Sequence, residues 1–453
     1  MKVMVSFGGL CVLLALGKLL RVRIKWIQRL YLPSSVIGGL LGLVILQTLG
    51  GSIPGYWTAG WNKLPGLLIN IVFAALFLGV AVPSLKSVWK KAGPQLAYGQ
   101  IVAWGQYVVG LGFGIVLLTP VFGKPPIFGV IVPVGFEGGH GTAGGLLPTF
   151  KEIGWDSGGD YALASATAGI ISAIVVGMAL INWAVRRGIL ENSRGPATLS
   201  EAESAGIYPV DQRPSAGFLT VSPDSVDSLA LHLAVIGLAV VVGMAIKTVL
   251  VYLEAHIPGL SNVEIMRAFP LFPLCMIGGL VVQGVMTGFG RAQIVDHALM
   301  QRLAGTALDF LVVAAISTIR LEVVARGLVP LVIVVAAGIL WNVFCVVWLA
   351  KRLLPDAWFE RAMAEMGQSM GVTATGLLLL RVVDPEGRTE AQSAFGYKQL
   401  LHEPFMGGGL WTSSAVLLVW SKGAPLVLVV SVGAIVAWLI VWRLILRPGR
   451  AIV

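Results

Sequence analysis

Between two strongly apolar runs, the stretch from Pro133 to Leu147 carries a carboxylate, an imidazole, a hydroxyl and six glycines. Glu137, Gly138, Gly139, His140, Gly141 and Thr142 follow one another directly. Each glycine weakens a helix by about 1 kcal/mol, so this stretch is a poor membrane helix. Broken backbone at membrane depth survives only where protein buries it or a wet cavity meets it. In such a place, unwound carbonyls and hydroxyls can replace the water around a sodium ion. Helix N-termini there offer free N–H groups and positive dipole ends to an anion. Thr142 to Leu147 recurs as Thr373 to Leu378 with five identities in six, and Ser369, Gly371 and Thr375 accompany the second copy. Gly138, Gly139, His140, Gly141, Thr142, Ser369, Gly371, Thr373 and Thr375 are therefore the expected ligand contacts. Thr142 and Thr373 are also expected to meet a cation.

The charged residues have competing readings. Glu137 is costly in hydrocarbon and is expected to face a polar cavity, either touching cation or substrate or pairing structurally. His140 is a proton relay, a substrate donor or a satisfied structural histidine. Asp309 is mid-span with no local cation in the sequence and is the best isolated sodium ligand. Arg320, eleven residues on, falls on the same helical face as Asp309. It can hold a substrate carboxylate or snorkel from a helix end. Arg381 is the other guanidinium within reach of the second glycine-bearing stretch. Tight helix packing is the competing reason for glycines in membranes, and it is the reading favoured for Gly38, Gly39, Gly278 and Gly279.

The elements that must position these residues follow from composition. The 453 residues are 57% hydrophobic and 12% charged, with a mean hydropathy of +0.87. That balance marks an all-α polytopic membrane protein rather than a soluble domain. The net charge of +10 is read as positive-inside bias and not as a nucleic-acid footprint, because Lys and Arg cluster in short loops. Cys11, Cys275 and Cys345 are scattered through apolar runs and read as packing residues. The basic cluster after the first apolar run makes that run a retained span rather than a cleaved leader. Apolar stretches fall at about 4–20, 33–50, 65–83, 97–119 and 161–185, then at about 228–252, 270–289, 303–321, 328–350 and 403–420. The glycine-bearing stretches, about 127–150 and 357–380, each fall between the fourth and fifth of a set, as re-entrant hairpins. Residues 187–226 are a polar linker, and a further apolar run at 424–446 has no counterpart.

Pro33 and Val36 to Leu40 match Pro273 and Met276 to Leu280 at an offset of 240, close to the 231 that separates Thr142 from Thr373. The expected fold is thus two inverted five-helix repeats, 1–186 and 227–421, each with a re-entrant hairpin, plus an extra C-terminal transmembrane helix in 422–453. Basic residues alternate between loops, which puts the N-terminus outside and both the linker and the C-terminus inside. Inverted repeats with broken segments at matching positions are the signature of a secondary transporter. A passive channel, a proton-driven carrier using His140 or Glu137, and an intramembrane enzyme are the rivals. The enzyme lacks a nucleophile–base pair or metal-ligand spacing.

The run from Gly138 to Thr142, the stretch from Pro33 to Leu40, and Gly371, Thr373 and Thr375 together resemble the sodium/glutamate symporter family, in order from about residue 4 to about 420. The resemblance implies sodium as coupling ion with no other cofactor, and glutamate or a similar small anion as substrate. It also implies a homodimer in the cytoplasmic (inner) membrane, and relatives of this fold imply an elevator motion. Three features depart from the family pattern: the run at 424–446, the sparser glycines of Gly367 to Gly371, and the polar Lys398 and Glu403 before the tenth span.

Overall fold

The computed structural model describes residues 2–29, 32–80, 85–190, 207–208, 210, 213–256, 265–384 and 387–446. Residues 191–206, 209, 211 and 212 of the expected linker, and Arg447 and Arg450 at the C-terminus, lie outside the described residues. Among those described there are helices and no strand, as an apolar surrounding demands, since a helix satisfies its backbone within one segment. The helices used below are α1 (Lys2–Arg23), α2 (Ser34–Leu49), α3 (Leu64–Ala75), α4 (Leu85–Phe113), α5 (Ile131–Gly135), α6 (Gly139–Gly145), α7 (Ser157–Arg186) and α8 (Ser228–His256). The second half has α9 (Phe272–Gly288), α10 (His297–Ser317), α11 (Leu328–Phe344), α12 (Trp358–Ser369), α13 (Thr373–Val383), α14 (Ala391–His402), α15 (Leu410–Lys422) and α16 (Ala424–Val441).

Among the described residues, eight helical segments are long and apolar enough to cross a membrane, including the run that continues α16 to Leu446. Three expected spans are shorter than their apolar runs. The 65–83 run gives a helix only to Ala75, because the chain turns through Gly79 at φ +72°, whose N–H is held by Gln283 Oε1 at 2.9 Å. The 270–289 run gives the 17-residue α9. The 403–420 run begins its helix only at Leu410, because Gly408 at φ +94° breaks it, and α14 precedes it where no helix was expected.

Packing sorts the helices into two groups. In one, α1 packs on α2, α10 on α2 and α3, and α9 on α3 and α8. In the other, α4 packs on α11, α14 and α16, α12 on α13, and α7 on α11, α12 and α13. Helix α6 touches α3 and α10 of the first group and α7 of the second, so the first broken segment lies at the seam. The matched glycines serve close packing in both halves. A Cβ on Gly38 would run into the Leu13 carbonyl, and one on Gly278 into the Ala239 carbonyl. Small residues let helices approach in this way where no water-driven force joins them.

A second repeat signal is structural. A π-helical turn follows α4 at Gly114–Leu118 and another follows α11 at Cys345–Leu349, 231 positions later. Such turns often mark functional regions, and each here leads into a broken segment.

The α12–α13 pair closes on glycines. A Cβ on Gly367 would lie 2.6 Å from the Gly376 Cα, and a Cβ on Gly376 would run into the Ala364 carbonyl. Gly376→Ala should therefore destabilise the fold by about 1–3 kcal/mol through overpacking, read as a lower thermal unfolding midpoint in detergent. Gly284→Ala, where a Cβ meets nothing within 4 Å, should leave the midpoint unchanged or slightly raised.

Candidate functional site

The first broken segment ends α5 at Gly135, passes Phe136 to Gly138, and restarts at Gly139 with φ +63°. The second ends α12 at Ser369 and restarts at Thr373. The two breaks touch. A Cβ on Gly139 would lie 3.0 Å from the Gly371 carbonyl oxygen and 3.2 Å from the Val372 side chain. Glycine is used at 139 for both its positive φ and this approach. Beside the contact, Gln368 Nε2 donates to Glu137 Oε1 at 3.0 Å. These two residues are 231 apart, the spacing that also separates Thr142 from Thr373.

A third break, Glu403 to Gly409, separates α14 from α15 and covers the first. A Cβ on Gly408 would collide with the Thr142 hydroxyl, so Thr142 is buried beneath this turn. His402, at the end of α14, bonds Glu137 Oε1 through Nε2. The proton can be placed. Trp104 Nε1 donates to Gln100 Oε1 at 3.0 Å, which turns the Gln100 amide so that Nε2 faces His402 Nδ1 at 3.2 Å. His402 therefore accepts at Nδ1, carries its proton on Nε2, donates to Glu137 and is neutral. The other carboxylate oxygen, Glu137 Oε2, is buried with no hydrogen-bond partner among the described residues.

From Gln368 the network continues to a buried ion pair. Lys398 Nζ donates to Glu365 Oε1 at 2.7 Å, Gln399 Oε1 at 2.9 Å and Gln368 Oε1 at 3.3 Å. Gln399 Nε2 donates to Thr373 Oγ1 at 2.6 Å, and the Thr373 hydroxyl donates to Glu403 Oε2 at 3.4 Å. The network thus links all three breaks. It holds the carboxylates of Glu137, Glu365 and Glu403 against the one ammonium of Lys398. A cavity of about 310 Å³ reaches it at Thr373, Gln399 and Glu403, with His297, Gln301 and Leu308 on the opposite wall.

The structure separates the expected residues into two sets. Glu137, Gly139, Gly371 and Thr373 lie at the meeting breaks, with Gly138 and Gly141 adjoining. Ser369 donates to Asn342 Oδ1 at 2.7 Å, and its carbonyl is capped by Gln106 Nε2 at 2.6 Å. Thr375 is buried, and a Cβ on Gly371 would lie 3.0 Å from its hydroxyl. His140 turns away from the network to Thr167 Oγ1, 2.9 Å off. Three charges lie elsewhere. Asp309 is exposed on α10 and bonds the Ser35 hydroxyl. Helix α10 ends at Ser317, so Arg320 lies beyond it and the same-face relation to Asp309 does not hold. Arg320 is instead clamped by Asp160, with Nε and Nη2 on Oδ2 at 3.0 and 2.7 Å, in an open cavity of about 530 Å³. Arg381 is exposed in the last turn of α13.

Sequence reasoning missed His402, Glu365, Gln399 and Gln368 as site residues. Gln368 carried a usable signal, since the repeat offset alone pairs it with Glu137. The others become partners only when α14, 265 positions from Glu137 at His402, folds back over the breaks.

A family model described as "Sodium/glutamate symporter" matches residues 1–383. A curated sodium/glutamate symporter of Haemophilus influenzae is 21% identical over 404 residues, covering 87% of this chain and 90% of that one.

The direct Glu137–Gln368 contact makes a thermodynamic prediction. In the cycle of Glu137→Ala, Gln368→Ala and the double variant, unfolding free energies should be non-additive by about 0.5–3 kcal/mol, because both residues belong to one network. A cycle of Glu137→Ala with Arg381→Ala should be additive. Denaturant or thermal unfolding of the purified variants reads both.

Proposed function

The chain belongs to the sodium/glutamate symporter family and is a transporter, not an enzyme, and from that premise we propose that it imports glutamate across the cytoplasmic membrane on a sodium gradient. The observation that carries this reading is the contact of Glu137 with its repeat-equivalent Gln368, inside a network holding more carboxylate than ammonium. Buried negative charge in excess of its partners is costly, so a mobile cation completes the site. Glu137, Thr142 and Thr373 are the proposed sodium contacts, and Asp309, exposed on α10, is not among them. Backbone N–H groups of Gly139 to Gly141 and of Val372 to Ala374 are the proposed anion contacts, since those of Gly138, Thr142, Gly371 and Thr375 already donate to backbone carbonyls.

The two halves are proposed as inverted repeats whose broken segments enter from opposite faces as re-entrant hairpins. Support comes from the shared offset of the glycine motifs, the π turns and the Glu137–Gln368 pair. The group containing α4, α7 and α11 to α16 would then slide, carrying both hairpins, against the group containing α1 to α3 and α8 to α10. A homodimer formed through the second of these groups is part of the same proposal. Orientation follows the charge alternation, with the N-terminus outside and the linker and C-terminus inside.

Uptake of labelled glutamate into proteoliposomes tests this reading. Uptake should require external sodium and should rise with an inside-negative potential, which is worth about 2.3 kcal/mol per net charge per 100 mV. Glu137→Gln should raise the sodium concentration for half-maximal uptake about tenfold or more. Equal uptake in sodium-free buffer under a proton gradient would reject sodium coupling and assign the coupling proton to the Glu137–His402 pair.

A further inference from the structure

Lys398 sits in a cage whose oxygens are already aimed. Its ammonium has three N–H groups, and three oxygens receive them, on Glu365, Gln368 and Gln399. Neither amide is free to turn. Gln368 spends its Nε2 on Glu137 and Gln399 spends its Nε2 on Thr373, so each presents Oε1 to the cage. The second carboxylate oxygen of Glu365 accepts from Gln95 Nε2 at 3.0 Å, which fixes the carboxylate as well. Lys398 and Glu365 are both 0% exposed. One carboxylate and two carbonyl-type oxygens, dry and pre-oriented, are what a monovalent cation accepts in place of its hydration shell.

The plain alternative is a stabilising buried ion pair. Fold stability is a weak reason for one, because an apolar pair of similar volume usually serves as well or better. Repeat equivalence weakens it further. At the same offset of 231, Val134 answers to Glu365 and Thr167 to Lys398, so the other half does without the pair. The ammonium comes from α14. Room is made for it on α4, where a Cβ on Gly99 would lie 2.6 Å from both Glu365 Oε1 and Lys398 Cε.

We propose that Glu365, Gln368 and Gln399 form a monovalent-cation site whose occupant is the chain's own Lys398 ammonium, so that removing the ammonium opens the site to sodium from solution. Its consequence for coupling rests on the sodium-symport reading: the charge neutralising Glu365 travels with the protein and is not drawn from the gradient. The site itself does not depend on that reading.

Equilibrium binding of radioactive sodium to the purified full chain tests the proposal, with potassium, ammonium and N-methyl-D-glucamine chlorides as competitors. Lys398→Ala should bind one more sodium ion per chain than the wild type. That extra ion should be displaced by potassium or ammonium but not by N-methyl-D-glucamine. Glu365→Gln with Lys398→Met removes the pair without leaving a charge, and should return the count to the wild-type value. Because the readout is a difference, a wild type that binds no sodium would reject sodium symport while an added ion in Lys398→Ala still upheld the cage. If Lys398→Ala folds only in sodium or potassium, judged by size-exclusion profile and circular dichroism, the proposal is also upheld. Equal sodium counts in Lys398→Ala and wild type overturn it. So does a Lys398→Ala chain that folds in none of these salts, since the cage then accepts the tethered ammonium alone.

Discussion

A break in a helix within an apolar surrounding leaves peptide groups and neighbouring side chains without partners, and the rest of this architecture follows from how that debt is met. Here the breaks satisfy one another. Glu137 beside the first is bonded by Gln368 beside the second, and by His402 at the edge of the third. The carbonyl of Ser369 is taken by Gln106 from α4, and the hydroxyl of Thr373 by Gln399 and Glu403. Each break left to itself would be costly, because an unpaired buried polar group costs more than a made hydrogen bond contributes. Together they form a connected polar centre inside an otherwise apolar chain.

The centre dictates where glycine is used. The positive φ at Gly139 and its approach to Gly371 allow two backbones to meet without side chains between them. The closing of α12 on α13 through Gly367 and Gly376 holds the second break at a set height. Elsewhere glycine serves helix packing, as at Gly38 and Gly278, where neighbouring carbonyls occupy the space of a Cβ. The same residue type therefore has two jobs, and only its neighbours separate them. The same division holds for charge. Arg320 and Asp160 form a clamp at an open cavity, with the arginine side chain 55% exposed. Lys398 and Glu365 form theirs where water does not reach. The exposed clamp is screened and contributes little, whereas the buried one constrains everything that touches it.

Composition, the glycine-rich break and the repeat offset were all legible in the chain itself. They are local or periodic properties, and the physics behind them, apolar burial and helix weakening by glycine, acts over a few residues. Membership of a helical membrane class, the two breaks and the packing roles of Gly38 and Gly278 were read this way. Three-dimensional folding decided which charges share the centre. Asp309 looked uncompensated along its apolar run, yet it turns to Ser35 on the exposed side of α10. Arg320 looked in register with it until α10 ended at Ser317. Lys398 stood out only as a polar residue before the tenth span and His402 not at all, because the helix that carries them lies in a polar stretch beside an apolar run. Only the return of α14 across the breaks brings His402 onto Glu137 and Lys398 onto Glu365. A hydrogen bond between residues hundreds of positions apart leaves no periodicity along the chain, so its partners are assigned by packing alone.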